Sequence, residues 1–216
     1  MITATYYHHM GDDITTVNAA RVSFAKQSKL VCTDLIQGTY DLDNRDKKLI
    51  KYLAKHKHLS PFNHASVTFV CKAPIFVARQ LQKHEYMPWN EVSRRYVSDN
   101  IEFYQPEVWR GRSADKKQGS EGVCQPPLWL DSTMNQVLDL YDQMIHDGVA
   151  PEQARMVLPQ NTMTEWYWTG TLGAIAKMCN LRCKPDTQYE TRLIADQISS
   201  KMGELFPVSW EALMNE

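Results

Sequence analysis

Residues 66–84 read SVTFVCKAPIFVARQLQKH, and the hydrophobic pattern changes once within them, at Pro74. Before the proline the residues are β-branched and alternate, the pattern of a strand with one buried face. After it comes PIFVARQLQKH, with proline in the first turn of a helix, where its missing N–H is no loss. A chain built around this junction needs both a sheet and helices. RDKKLIKYLAKH places Leu49, Ile50, Leu53 and Ala54 on one helical face. STMNQVLDLYDQMIHDG does the same with Val137, Leu140, Tyr141 and Met144, and Gly148 can close that helix. Asp13 is expected to cap a short helix, ITTVNAARV, and Asp186 the long helix TQYETRLIADQISSKMGELF. PEQARMVL, opened by Pro151 and stopped by Pro159, and TLGAIAKMCNLRC supply two more helices. LVCTDLIQGTYDLDN reads as a loop and NEVSRRYV as extended; the polar, aperiodic stretch from Trp109 to Pro127 reads as a long loop. The sum is an α+β domain.

The 216 residues fit one domain, 1–216, with a real core. A formal net charge of −1 gives no global reason to bind nucleic acid or a membrane surface, so neither partner is expected. Basic character is local: Lys83, Arg94 and Arg95 form one cluster, and Arg110, Arg112, Lys116 and Lys117 another. MITATYYHHMGDD lacks the basic start and apolar run of a secretory leader. Cys32, Cys71, Cys124, Cys179 and Cys183 have neither disulfide nor zinc spacing, so free thiols in a reducing cytoplasm are expected. His56, His58 and His64 lack converging partners, and no metal is expected. Cys124 has no base beside it that would make it a nucleophile.

In an extended NEVSRRYV, Glu91, Ser93 and Arg95 share one face, and Val92, Arg94 and Tyr96 the other. An acceptor, a hydroxyl and a planar cationic fork suit a nucleotide monophosphate; a solvated strand face with a Glu–Arg pair accounts for the same residues. Gln80, Lys83 and His84 share a helical face just upstream. They can hold an anion or an electron-rich ring, or simply complement the helix dipole. Arg155 and Arg182 stand in apolar settings, in EQARMVLP and CNLRCKP, and need either a structural ion pair or an anionic ligand.

Taken in order, NAARVSF, HLSPFNH, KAPIFVARQ, NEVSRRY, EQARMVLP, LRCKPDTQYETR and FPVSWEAL resemble blocks of the flavin-dependent thymidylate synthase (ThyX) family over most of the chain. The family signature R-H-R-x-x-S-x-N-E-x-S-x-R-Y reads KHEYMPWNEVSRRY here. Its second half matches in full. In its first half Lys83, Glu85 and Pro88 depart from the pattern and His84 is kept. The resemblance implies helices packed on a small central antiparallel sheet, in a homotetramer with active sites shared between subunits. It marks 109–127 as an insertion found in part of the family, whose KKQGS stretch either closes over a substrate or is solvated. The implied dUMP contacts are Gln80, Lys83, Glu91, Val92, Ser93, Arg94, Arg95, Arg155 and Arg182, with Arg182 at the uracil ring as the catalytic residue. The implied FAD contacts are Ser23, His58, Ser60, Asn63, Lys83, His84, Glu85, Glu91, Thr171, Gly173 and Lys177. Asn63 stands where a Glu is common in the family, and Lys177 is placed to replace a lost positive charge.

The implied reaction converts dUMP to dTMP, with methylenetetrahydrofolate as carbon donor and NADPH-reduced FAD as hydride source. It requires no protein nucleophile, in keeping with the lack of an activated cysteine. The altered K-H-E triplet leaves two other readings: a related enzyme that stops at a hydroxymethyl product, and a nucleotide-binding protein without flavin chemistry.

Overall fold

The computed structural model describes residues 1–114 and 119–215. Its centre is a four-stranded antiparallel sheet made of β1 (Thr3–Met10), β4 (Ser66–Pro74), β8 (Met163–Thr171) and β5 (Trp89–Glu91), in the spatial order β1-β4-β8-β5. Two outlying hairpins, β2–β3 (Val31–Asp34 and Thr39–Asp41) and β6–β7 (Arg110–Arg112 and Ser120–Val123), complete the strands. The helices are α1 (Asp13–Arg21), α2 (Asn44–Lys55), α3 (Ile75–Leu81), α4 (Leu130–His146), α5 (Pro151–Ala154), α6 (Leu172–Arg182), α7 (Tyr189–Leu205) and α8 (Pro207–Met214). The expected class, helices on a small antiparallel sheet, is the one observed.

The junction at Pro74 forms as its pattern predicts. β4 buries Val67, Phe69, Cys71 and Ala73 on one face, and Pro74 at φ −68° hands the chain to α3. β8 has no counterpart among the expected elements, yet it is one of the two inner strands. It pairs with β4 from Ser66↔Thr171 to Pro74↔Met163 and buries Trp166 and Trp168 under the helices. Two indoles at 1% exposure are worth several kcal/mol of burial between them, at about 25 cal/mol per Å² of apolar area. Across the sheet, Tyr7 and Tyr167 meet edge to face at 5.2 Å and stay partly exposed.

Several boundaries differ from expectation. α1 is capped by Asp12, whose carboxylate accepts from the N–H of Thr15 at 3.0 Å. Asp13 is buried instead and accepts from the N–H groups of Val208 and Ser209, both at 2.9 Å, at the start of α8. α7 begins at Tyr189 behind Gln188, with no side-chain cap, so Asp186 does not cap it. LVCTDLIQGTYDLDN is the β2–β3 hairpin, and the long stretch from Trp109 carries β6 and β7. Lys116, Lys117 and Gln118 of KKQGS lie outside the described residues. Gly148, at φ +84°, closes the α4 turn as expected, a conformation that favours glycine. On α4 only Tyr141 of the apolar stripe is buried; Leu140 is half exposed.

Candidate active site

The strand ladder from β5 stops at Glu91, and the chain then turns: the Ser93 carbonyl accepts from the N–H groups of Tyr96 and Val97. The expectation that Glu91, Ser93 and Arg95 alternate along one strand face is therefore corrected. β5 pairs with Trp168, Tyr167 and Trp166 of β8, and one more backbone bond, from Val92 N–H to the Glu165 carbonyl at 2.9 Å, precedes the turn. Glu91 is fixed by Thr164 Oγ1 at 2.7 Å and Trp89 Nε1 at 3.0 Å. Arg94 points its guanidinium at the Asp99 carbonyl, 2.7 Å away, and so braces the loop that follows. Arg95 pairs loosely with Glu152 at 3.6 Å. Glu91, Val92, Ser93, Arg94 and Arg155 nevertheless line one small cavity of about 280 Å³. Arg155 is exposed, and its Nε–H donates to the Glu152 carbonyl at 3.3 Å.

The helix carrying Gln80 ends at Leu81, so Lys83 and His84 do not extend its face. Lys83 is exposed in the turn. Gln80 and His84 are brought together instead by Arg182, at the C-terminus of α6. Arg182 Nε–H donates to His84 Nε2 at 3.1 Å, and its Nη2 reaches the Gln80 carbonyl at 3.5 Å. Among the described residues its partners are a ring nitrogen and a carbonyl, not a carboxylate. His84 must accept, so its ring is neutral. Burial, then the charges of Arg182 and Lys177, push its pKa down to about 4. Gln80 and Arg182 open into a cavity of about 800 Å³ walled by Phe76, Tyr104, Trp109 and Arg110. Tyr104 is held protonated, its pKa raised to about 12 by burial and the Glu190 carboxylate.

Apart from Glu91, which lies on the smaller cavity with Ser93, and Lys83 in its turn, the residues expected to meet FAD fall into two patches joined by the Ser60–His64 turn. Ser23, His58 and Ser60 line a cavity of about 830 Å³ together with Arg21, Phe24, Arg45 and Tyr52. Its volume suits a large ligand, and arginines beside aromatic walls suit a phosphate-linked ring system. The second patch runs along α6. Thr171 caps that helix, accepting from Ala174 N–H at 3.2 Å, and donates to Asn63 Oδ1 at 2.8 Å. A Cβ at Gly173 would stand 2.6 Å from the same Asn63 oxygen. One turn on, Lys177 Nζ lies 3.5 Å from Glu85 Oε2, beside His84. The residues present thus fit a dinucleotide cofactor, and Lys177 stands against the acid that departs from the family pattern.

Sequence reasoning did not find Tyr104, Trp109, Arg110 and Glu190 at the large cavity, or Arg21 and Arg45 at the second. Trp109 and Arg110 sit in a stretch with no period to read. The only available signal for Arg21 was its place inside NAARVSF.

Comparison with known proteins places the chain and its fold. Residues 6–208 match the family model described as thymidylate synthase complementing protein. A flavin-dependent thymidylate synthase of Thermus thermophilus is 38% identical over 206 residues, covering 94% of this chain and 72% of the relative. One from Kosmotoga olearia is 38% identical over 212 residues, covering 95% and 87%. Among solved structures, the UMP/dUMP methylase PolB from Streptomyces cacaoi, bound with 5-Br dUMP, superposes with a TM-score of 0.82 at 29% identity, over 100% of this chain and 95% of that one. The chain belongs to the thymidylate synthase complementing protein family, the family of the flavin-dependent thymidylate synthases.

Proposed function

We propose that this protein converts dUMP to dTMP, taking the carbon from methylenetetrahydrofolate. The observation that carries the reading is the Arg182–His84 pair, set beside Gln80 at the edge of the 800 Å³ cavity. A neutral His84 fixes Arg182 through the Arg182 Nε–H, and the outer N–H groups of the guanidinium not turned to the Gln80 carbonyl are left for a ligand. Placed against a uracil ring, they stabilise the negative charge that develops as the ring is attacked or deprotonated. FAD, reduced by NADPH, supplies the hydride when bound. Ser23, His58 and Ser60 would hold one end of it, and Asn63, Thr171, Gly173, Lys177, Glu85 and His84 the other. Lys83, exposed in the adjoining turn, completes the cationic rim.

Glu91, Val92, Ser93, Arg94 and Arg155 line a different cavity from Gln80 and Arg182. In the proposed assembly, a homotetramer, base and phosphate of one dUMP are held by two subunits, with Arg95 beside the phosphate half. Exposed Leu128, Trp129 and Met156 support such a surface. No helix among the described residues is long and apolar enough to cross a membrane.

Two measurements test the reading. The visible spectrum of purified protein should show flavin, or its uptake from added FAD; protein that takes up none would sink the enzyme. With dUMP, NADPH and methylenetetrahydrofolate, mass analysis should find dTMP, and a hydroxymethyl product would redirect the assignment. Arg182→Ala should abolish turnover while keeping FAD.

A further inference from the structure

Behind Gln80 runs a chain of hydrogen bonds that ends on a buried carboxylate. Glu190, at 4% exposure, accepts from Arg110 Nη2 and from the Tyr104 hydroxyl at 3.4 Å on one oxygen. Its other oxygen accepts from Gln188 Nε2 at 3.3 Å. Gln188 Oε1 in turn accepts from Gln80 Nε2, and Gln80 Oε1 accepts from the Thr191 hydroxyl at 3.1 Å. Arg110 lies on β6 of the inserted hairpin, 4.6 Å over the Tyr189 ring, with its Nε–H on Ser120 Oγ at 2.9 Å.

The direction of the amide bonds in this chain is set from its carboxylate end, which Arg110 holds ionised. An ionised carboxylate only accepts and a guanidinium only donates. Gln188 must therefore turn its NH₂ towards Glu190 and its carbonyl towards Gln80. Gln80 must then turn its NH₂ towards Gln188 and its oxygen towards Thr191. An amide in isolation has no such preference. Gln80 faces the large cavity beside Arg182, and one of its N–H groups has no partner among the described residues.

We infer that Glu190 is a positioning residue that sets base preference: through Gln188 it locks Gln80 to offer an N–H to the C4 substituent of the base, beside the donor-only Arg182, so the cavity selects a pyrimidine with a carbonyl at C4 over one with an amino group there. This rests on the assignment of the cavity to the pyrimidine of a nucleotide. A buried polar group left facing its own kind discriminates strongly, so uracil is accepted and cytosine opposed. The hairpin insertion takes part, because Arg110 supplies the positive end of the chain.

The test is calorimetric titration of FAD-loaded protein with dUMP and with dCMP, for the wild type, Glu190→Gln and Gln188→Met. Glutamine at position 190 can present either end of its amide, so the chain loses its fixed direction. Gln188→Met removes the middle bond without placing a charge, which guards against a variant at 190 that does not fold. Each folded variant should lose about tenfold in dUMP affinity, one neutral hydrogen bond's worth. The dUMP-over-dCMP preference should narrow by a similar factor. Variants that keep the wild-type preference, or weaken both nucleotides equally, overturn the inference and leave the function standing. A wild type that takes up FAD but binds neither nucleotide overturns both.

Discussion

His84 should make the folded protein acid-sensitive in one definite window. Its ring accepts the Arg182 Nε–H at 3.1 Å and cannot do so once protonated. Burial, Arg182 and Lys177 lower its pKa from 6.5 to about 4. Between these values the unfolded chain binds a proton that the folded chain refuses, so stability falls as pH falls from about 6.5 towards 4 and is level above that range. At about 1.4 kcal/mol per pH unit, the whole window carries a ceiling of about 3 kcal/mol. The ring is partly exposed and solvent screens it, so roughly 1 kcal/mol is expected by pH 5. Urea unfolding of the wild type and His84→Gln at pH 7.5, 6 and 5 reads this directly. Glutamine can still accept from Arg182 but does not titrate, and the other histidines cancel in the comparison. The wild type should lose about 1 kcal/mol more than the variant between pH 7.5 and 5. Parallel pH dependences would refute the neutral-acceptor role of His84.

Three further outcomes follow from contacts described above. Asp13→Ala strips the acceptor from one buried and one partly buried N–H group at the start of α8 and should cost about 2–3 kcal/mol in urea unfolding; a midpoint unchanged from wild type would show that water serves those groups equally well. Lys177→Ala leaves Glu85 without its 3.5 Å partner and should weaken FAD uptake about tenfold, read by flavin fluorescence, with Lys177→Arg restoring it; equal uptake in all three proteins would remove Lys177 from the flavin site. Gly173→Ala drives a methyl group to 2.6 Å from Asn63 Oδ1 and should lower stability by about 1–3 kcal/mol, in thermal unfolding, by displacing the Asn63–Thr171 bond; a neutral substitution would show that Asn63 moves freely.

What the sequence made legible was what its period encodes. β4 and α3 announce themselves because one buries alternate residues and the other follows an apolar helical stripe after Pro74. β8 does not. Its outward Tyr167 packs on Tyr7, so TMTEWYWTG is aromatic on both faces and its alternation is hidden. NEVSRRYV alternates as a strand would, but the ladder ends with its third pair and the Ser93 carbonyl closes a turn, an outcome no alternation rule can see. The Arg182–His84 pair spans 98 positions, and no spacing rule reaches that far. Resemblance named both residues; only the fold gives the bond between them. The resemblance named Gln80, but the bonds that run from Arg110 through Glu190 to it had no signal, since they join an aperiodic insertion to two separate helices.

The order of the central sheet also bears on how the protein is made. β4 has β1 for one neighbour, already synthesised when β4 appears. Its other neighbour, β8, follows after about 90 more residues. At the 5–20 residues per second of translation, the apolar edge SVTFVCKAP waits roughly 5–18 s for its partner. For that time a nascent chain carries an unpaired, β-prone ribbon, the kind of edge that pairs with a neighbouring copy. Crowded polysomes and fast, warm expression are thus where this chain is most exposed to aggregation, before any part of the nucleotide site exists.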